Sequence, residues 1–103
     1  MKTPEERKQY FEQKLREMPP DVLEKAIAVF QTLPDEFKAE CKARHAIEPD
    51  SWMACWHHDA GRHLRNMLRV HGLGDALLPD KNWDDYYIQV LEISLGLRNV
   101  QPP

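Results

Sequence analysis

Only two thiols, Cys41 and Cys55, stand in this 103-residue chain. Neither belongs to a CxxC pair, and no HExxH spacing occurs, so no closed zinc ligand set is written in the sequence. The expected state of both thiols is reduced and unpaired, as in a reducing cytosol. Long apolar runs are missing too. Nothing approaches the ~20 residues that span a bilayer, and the opening MKTPEERKQYFEQ lacks the apolar core of a secretory signal. The expectation is a cytoplasmic protein without a membrane partner. An excess of positive charge is likewise absent. Fourteen Lys and Arg face 17 Asp and Glu, a net −3 with histidines neutral. That balance argues against nucleic acid as a bulk electrostatic partner, and it is too weak for a mimic of DNA; a local basic face stays compatible with it. There is no nucleophile elbow, phosphate loop or dinucleotide fingerprint, so the chain reads as a non-enzyme with no cofactor. Internal repeats and low-complexity tracts are also lacking.

What is present is the balance of a folded protein: 42% hydrophobic and 30% charged residues. The length suits one domain with one modest core. Prolines punctuate it, several of them where helices begin. In TPEE, Thr3 is an N-cap, Pro4 the first helical position and Glu6, three residues after the cap, completes a capping box. That helix should run to about Met18, where Pro19 and Pro20 stop it. Its apolar stripe is thin: Phe11, Leu15 and Met18, with Tyr10 beside them. Residues 1–18 therefore read as a charged appendage serving association, with Phe11, Leu15 and Met18 as partner-binding residues for a target or a second copy. Residues 19–99 form the helical core, and 100–103 a frayed tail.

A second helix follows from the spacing of Val22, Leu23, Ala26, Ile27, Val29 and Phe30. A third opens at Pro34 with Asp35 and Glu36, acids suited to a first turn. The longest candidate spans residues 48–72, capped by Asp50 or Ser51 and ended by Gly72 in a left-handed C-cap. LGDALLPDKN is a loop or one short turn. The last element, NWDDYYIQVLEISLGL, has strand-like residues, but two early aspartates and the lack of a partner strand favour a helix. The fold class is all-α, a single compact domain of about five helices.

The long helix carries the chemistry. On a wheel of ~100° per residue, Trp52, Trp56, Ala60, Leu64, Met67 and Val70 share one side, a core stripe. His58, Arg62, Arg65 and Arg69 share another, a row that can grip phosphates or serve as a solvated face. Cys41 with His45, and Asp59 with His63, are each four residues apart, so a zinc site from both pairs can be drawn; no motif enforces it, and no metal is expected. Cys55 with His58 or His63 offers a thiol and a base but no third orienting group, and a buried inert thiol is its commoner fate.

The C-terminal two-thirds resembles a family of small bacterial and phage helical domains of unknown function. Its pattern is FHHxxGxxIRNxxxL, then an LL segment, then PDDAS leading into an apolar helix. The match runs through Trp56, His57, His58, Gly61, Leu64, Arg65 and Asn66, then Leu77 and Leu78, then Asp84 and Asp85. Trp56 stands for the phenylalanine and Leu64 for the isoleucine. Trp83 precedes the aspartates in place of proline, and Tyr86 and Tyr87 replace the small residues after them. The resemblance brings Arg65, Asn66, Asp84 and Asp85 into one question. As a clamp, Asp84 or Asp85 receives Arg65, Asn66 holds a loop carbonyl and Gly61 admits a neighbouring helix. As a pocket, His58, Arg62, Arg65, Asn66 and Arg69 bind a small anion or a nucleotide. The clamp is the preferred reading. The expected function is a non-enzymatic protein-interaction module, in the style of a phage or mobile-element accessory protein that inhibits a host complex. A homo-oligomer is compatible with it.

Overall fold

The computed structural model describes residues 3–49, 52, 53 and 56–98. Five α-helices run in order among them: α1 (Pro4–Glu17), α2 (Pro20–Gln31), α3 (Asp35–Ile47), α4 (Arg62–Val70) and α5 (Tyr87–Ser94). The all-α expectation is met, and the described residues contain no strand. No helix among them is long and apolar enough to cross a membrane.

Local chemistry explains most boundaries. Thr3 caps α1 by accepting from the Glu6 backbone N–H at 3.1 Å, with Pro4 at the first position. Proline opens α2, and Pro34 precedes α3. Gly72 ends α4 with φ +86°; its own N–H reaches the Arg69 carbonyl at 3.1 Å, and the Leu73 N–H reaches Leu68 at 3.0 Å. Gly96, at φ +76°, closes α5 through the same pair of bonds. Both ends are Schellman caps, which satisfy carbonyls that a helix leaves orphaned.

α5 is the central element. It packs against α1 and α2, while α4 packs on α2. Val22, Ala26 and Phe30 meet it from α2, and Leu64 and Leu68 line the core from α4. Trp83 and Tyr86, just before α5, are fully buried beside Tyr87, Val90 and Leu91. The last element is thus a helix, but its entry is not: residues Trp83–Asp85 form a short 3-10 turn, with Asn82 capping the Asp84 N–H at 2.9 Å.

Two expectations are overturned. The first concerns α1, which is no appendage. Leu15 and Met18 are buried in the core and Phe11 is half-buried. Tyr10 donates to Asp85 at 3.0 Å, Lys14 pairs with Asp80, and Gln89 of α5 donates to the Phe11 carbonyl at 3.3 Å. A thin stripe suffices because α1 lies along α5 and adds polar bonds to its few apolar contacts. The boundary between residues 18 and 19 disappears, and the apolar stripe of Leu15 and Met18 has no free area for a partner.

The second concerns the long helix. Its proposed caps, Asp50 and Ser51, lie outside the described residues, as do Cys55 and the tail from 99 onward. Trp52 and Met53 sit in a turn, and His57–Gly61 is a π-helical turn in which the Gly61 N–H reaches back five residues to the Trp56 carbonyl at 3.1 Å. A turn one residue wider sets back the phase of everything after it. The buried side of α4 becomes Leu64, Arg65 and Leu68, while Met67 is half-buried and Val70 is 84% exposed.

Candidate functional site: the polar network between α4 and α5

Gly61, at the end of the π turn, faces Tyr87 at the start of α5. A Cβ there would fall on the Tyr87 hydroxyl, 3.2 Å from its Cζ and 3.3 Å from Arg65 Nη1. This is the close approach that a glycine permits. Burial pushes the Tyr87 hydroxyl up to about 12, opposed by the neighbouring Arg65 charge. The Arg65 guanidinium lies 5.1 Å from the Tyr87 ring centre and pairs with Asp84, Nε to Oδ1, at 3.2 Å. Arg65 is buried while the Asp84 side chain is 49% exposed.

Arg69 makes the tighter pair. Its Nε donates to Asp75 Oδ1 at 2.6 Å and its Nη2 to Oδ2 at 3.1 Å, a two-pronged contact. The same Asp75 Oδ2 accepts the Trp83 backbone N–H at 3.1 Å. The hydrogen bond from Arg69 holds the Asp75 carboxyl below its ordinary value despite desolvation, and raises Arg69 in turn. The Trp83 indole donates to the Leu73 carbonyl at 2.9 Å, so both ends of the loop after α4 are tied.

The predicted residues thus fall into separate places. Arg65 meets Asp84. Asp85 serves α1 instead, through Tyr10, whose hydroxyl is raised by burial and by that hydrogen bond. Asn66 holds no loop carbonyl; its Oδ1 accepts from Arg69 Nη1 at 2.7 Å. His58 and Arg62 are exposed. The single row of His58, Arg62, Arg65 and Arg69 does not exist as one face, because Arg65 turns inward. Asp59 and His63 are exposed while Cys41 is fully buried, and among the described residues no group of three or more His, Cys, Asp or Glu is placed to hold a metal. Burial pushes the Cys41 thiol up to about 11, the opposite of a ligand or nucleophile thiolate.

Sequence reasoning missed Glu92. It is buried on α5 and gathers three segments: the Trp52 indole N–H donates to Oε2 at 3.2 Å, Arg98 Nε to Oε1 at 3.0 Å, and His45 Nε2 lies 3.5 Å from Oε2. The signal was present. Glu92 is the one charged residue between positions 86 and 97, and a carboxylate inside an apolar helix needs partners. Trp56 was missed as a surface feature. Its indole lies across α3, 5.4 Å from the Phe37 ring and 4.1 Å from the Arg44 guanidinium.

This geometry defines a small helical domain whose polar residues fasten loops and helices to α5. No family model, curated protein or solved structure matches the chain.

Proposed function

We propose that the chain is a protein-binding module that acts by contact rather than by catalysis. One observation carries the reading. Arg65 and Arg69, the groups best suited to grip an anion, end on Asp84 and Asp75 of the same chain, whereas the large apolar side chains Ile47, Val70 and Leu77 are turned to solvent. Exposed apolar side chains are available for contact with another protein surface, and they mark one where they adjoin aromatic and arginine side chains. The half-buried Trp56, stacked with Phe37 and Arg44, adds residue types that dominate binding energy at interfaces.

The test is capture from a native lysate with wild type and with Val70→Asp and Trp56→Ala variants, followed by mass spectrometry. A protein retained by wild type and lost by a variant that melts normally supports the reading. A thermal stabilisation by inorganic phosphate or a nucleotide, abolished by Arg62→Ala, would overturn it in favour of an anion-binding domain.

A further inference from the structure

α3 is held less firmly than the other helices. It buries one side chain, Cys41, where α2 buries three and α5 five. Its remaining attachments lie toward its two ends. Lys38 Nζ donates to the Gln31 carbonyl at 2.6 Å, an exposed bond across the corner from α2. Phe37 is half-buried, its ring centre 5.4 Å from that of Trp56. His45 Nε2 stands 3.5 Å from Glu92 Oε2, and its ring meets Trp52 edge to face, centres 6.0 Å apart. A segment with few buried apolar side chains and exposed polar ties opens at lower cost than the fold as a whole.

We propose that α3 is a lid, which detaches as one piece while α1, α2, α4 and α5 stay packed. What it leaves behind is a complete core. Phe30, Leu64, Leu68, Trp83, Tyr87 and Leu91 are fully buried, and none of them belongs to α3. Opening takes His45 away from Glu92, but the carboxylate keeps its bonds from the Trp52 indole and Arg98, so it is not stranded. Opening also brings Cys41 into water. In the closed form burial pushes that thiol up to about 11 and makes it inert; once exposed it is an ordinary thiol that reacts as its thiolate. The stack of Trp56 with Phe37 and Arg44 exists only while the lid is shut. A partner that grips the stack therefore holds the lid closed. That consequence rests on the binding reading above; the lid itself does not, because its assay contains this chain alone.

Alkylation of the whole chain by iodoacetamide, followed by peptide mass spectrometry, reads Cys41 separately from Cys55. Amide hydrogen exchange at Val90 and Leu91 of α5 reads opening of the whole fold. After each is corrected for its intrinsic rate, Cys41 should be open at least tenfold more often than the α5 amides. Low urea should speed α5 exchange more than Cys41 labelling, because a lid exposes less surface than unfolding does. Leu15→Val loosens α1, which packs on α5 and stays packed in the open form. It should therefore speed α5 exchange and leave Cys41 labelling unchanged. One opening frequency and one urea response for Cys41 and α5, or a Leu15→Val variant that speeds both alike, would overturn the proposal.

Discussion

The Tyr87 hydroxyl occupies the space that a Cβ on Gly61 would need. Replacing glycine by alanine in a helix normally stabilises it by up to about 1 kcal/mol. Here the sign should reverse. Gly61→Ala should cost about 1–3 kcal/mol, the range of overpacking, because both Tyr87 and Arg65 Nη1 border the site. Tyr87→Phe removes the atom in the way, so the double variant should lose less than the two single losses together. Urea unfolding measures all three. A stabilised Gly61→Ala variant would show that the site is open.

The three arginines of α4 should rank by what they touch. Arg65→Ala removes a buried guanidinium stacked near Tyr87, at about 2 kcal/mol; a solvated Asp84 keeps the loss below that of a fully buried pair. Arg69→Ala, an ordinary surface site by sequence alone, should cost about 1 kcal/mol, because it breaks the two-pronged bond to Asp75. Arg62→Ala should stay within about 0.5 kcal/mol. Equal small effects in chemical denaturation would remove the structural role of the network.

Asp75 gives a pH dependence with a fixed sign. Its folded-state carboxyl is held below the ordinary value, chiefly by Arg69. A group depressed in this way contributes stability above the unfolded pKa of about 4, and loses that contribution as pH falls through the folded value. Asp75→Asn should be less stable than wild type at neutral pH, and the gap should narrow as the medium is acidified. Thermal melts between neutral and strongly acidic pH measure it. A gap that widens toward acid would refute the assigned role.

Glu92 should be the most sensitive carboxylate. Glu92→Ala leaves the Trp52 indole N–H and Arg98 without their shared acceptor and removes the carboxylate beside His45, at about 3 kcal/mol. Glu92→Gln keeps one acceptor oxygen and should lose roughly half as much. Since the Trp52 indole is one of the two hydrogen-bond donors to Glu92, its fluorescence should shift with the substitution. An unchanged midpoint for Glu92→Ala would show that these donors find water as readily as they find Glu92.

How much of this was legible depends on the range of the interaction. Thr3, Pro4, Pro19, Pro20, Pro34 and Gly72 act on their own neighbours, so the ends of α1, α2 and α4 and the start of α3 can be read from the chain. The π turn cannot be read in that way. A regular wheel through His57–Gly61 keeps Leu64 in the core but puts Arg65 on the polar side and Val70 on the buried one, whereas the wider turn brings Arg65 and Leu68 inward and leaves Val70 in solvent. Gly61, the last residue of that turn, faces Tyr87, 26 positions away, so its surroundings are fixed by tertiary contact rather than by its neighbours. The aspartates show the same limit. Sequence offered Asp84 and Asp85 to Arg65 without ranking them, and the fold gave Asp84 to Arg65, Asp85 to Tyr10 and Asp75 to Arg69.

α1 gives the last prediction, and it reverses the expectation drawn from composition. Four apolar residues among charges looked too few to hold a helix against a core. Yet Leu15 and Met18 are buried, and burying a side chain of that size contributes about 1.5–3 kcal/mol. The polar contacts are added to this: Tyr10 to Asp85, Lys14 to Asp80, and Gln89 to the Phe11 carbonyl. Their partners lie at both ends of the segment that enters α5, so removing α1 strips bonds from the element that organises the core. Deleting residues 1–18 should therefore abolish cooperative unfolding or lower the midpoint severely. Leu15→Ala alone should cost about 2–4 kcal/mol, against near zero for Gln13→Ala on the exposed side. Scanning calorimetry of the deletion and the two point variants decides it. A truncated chain that still melts sharply, within a few degrees of the whole, would return α1 to the role of an appendage.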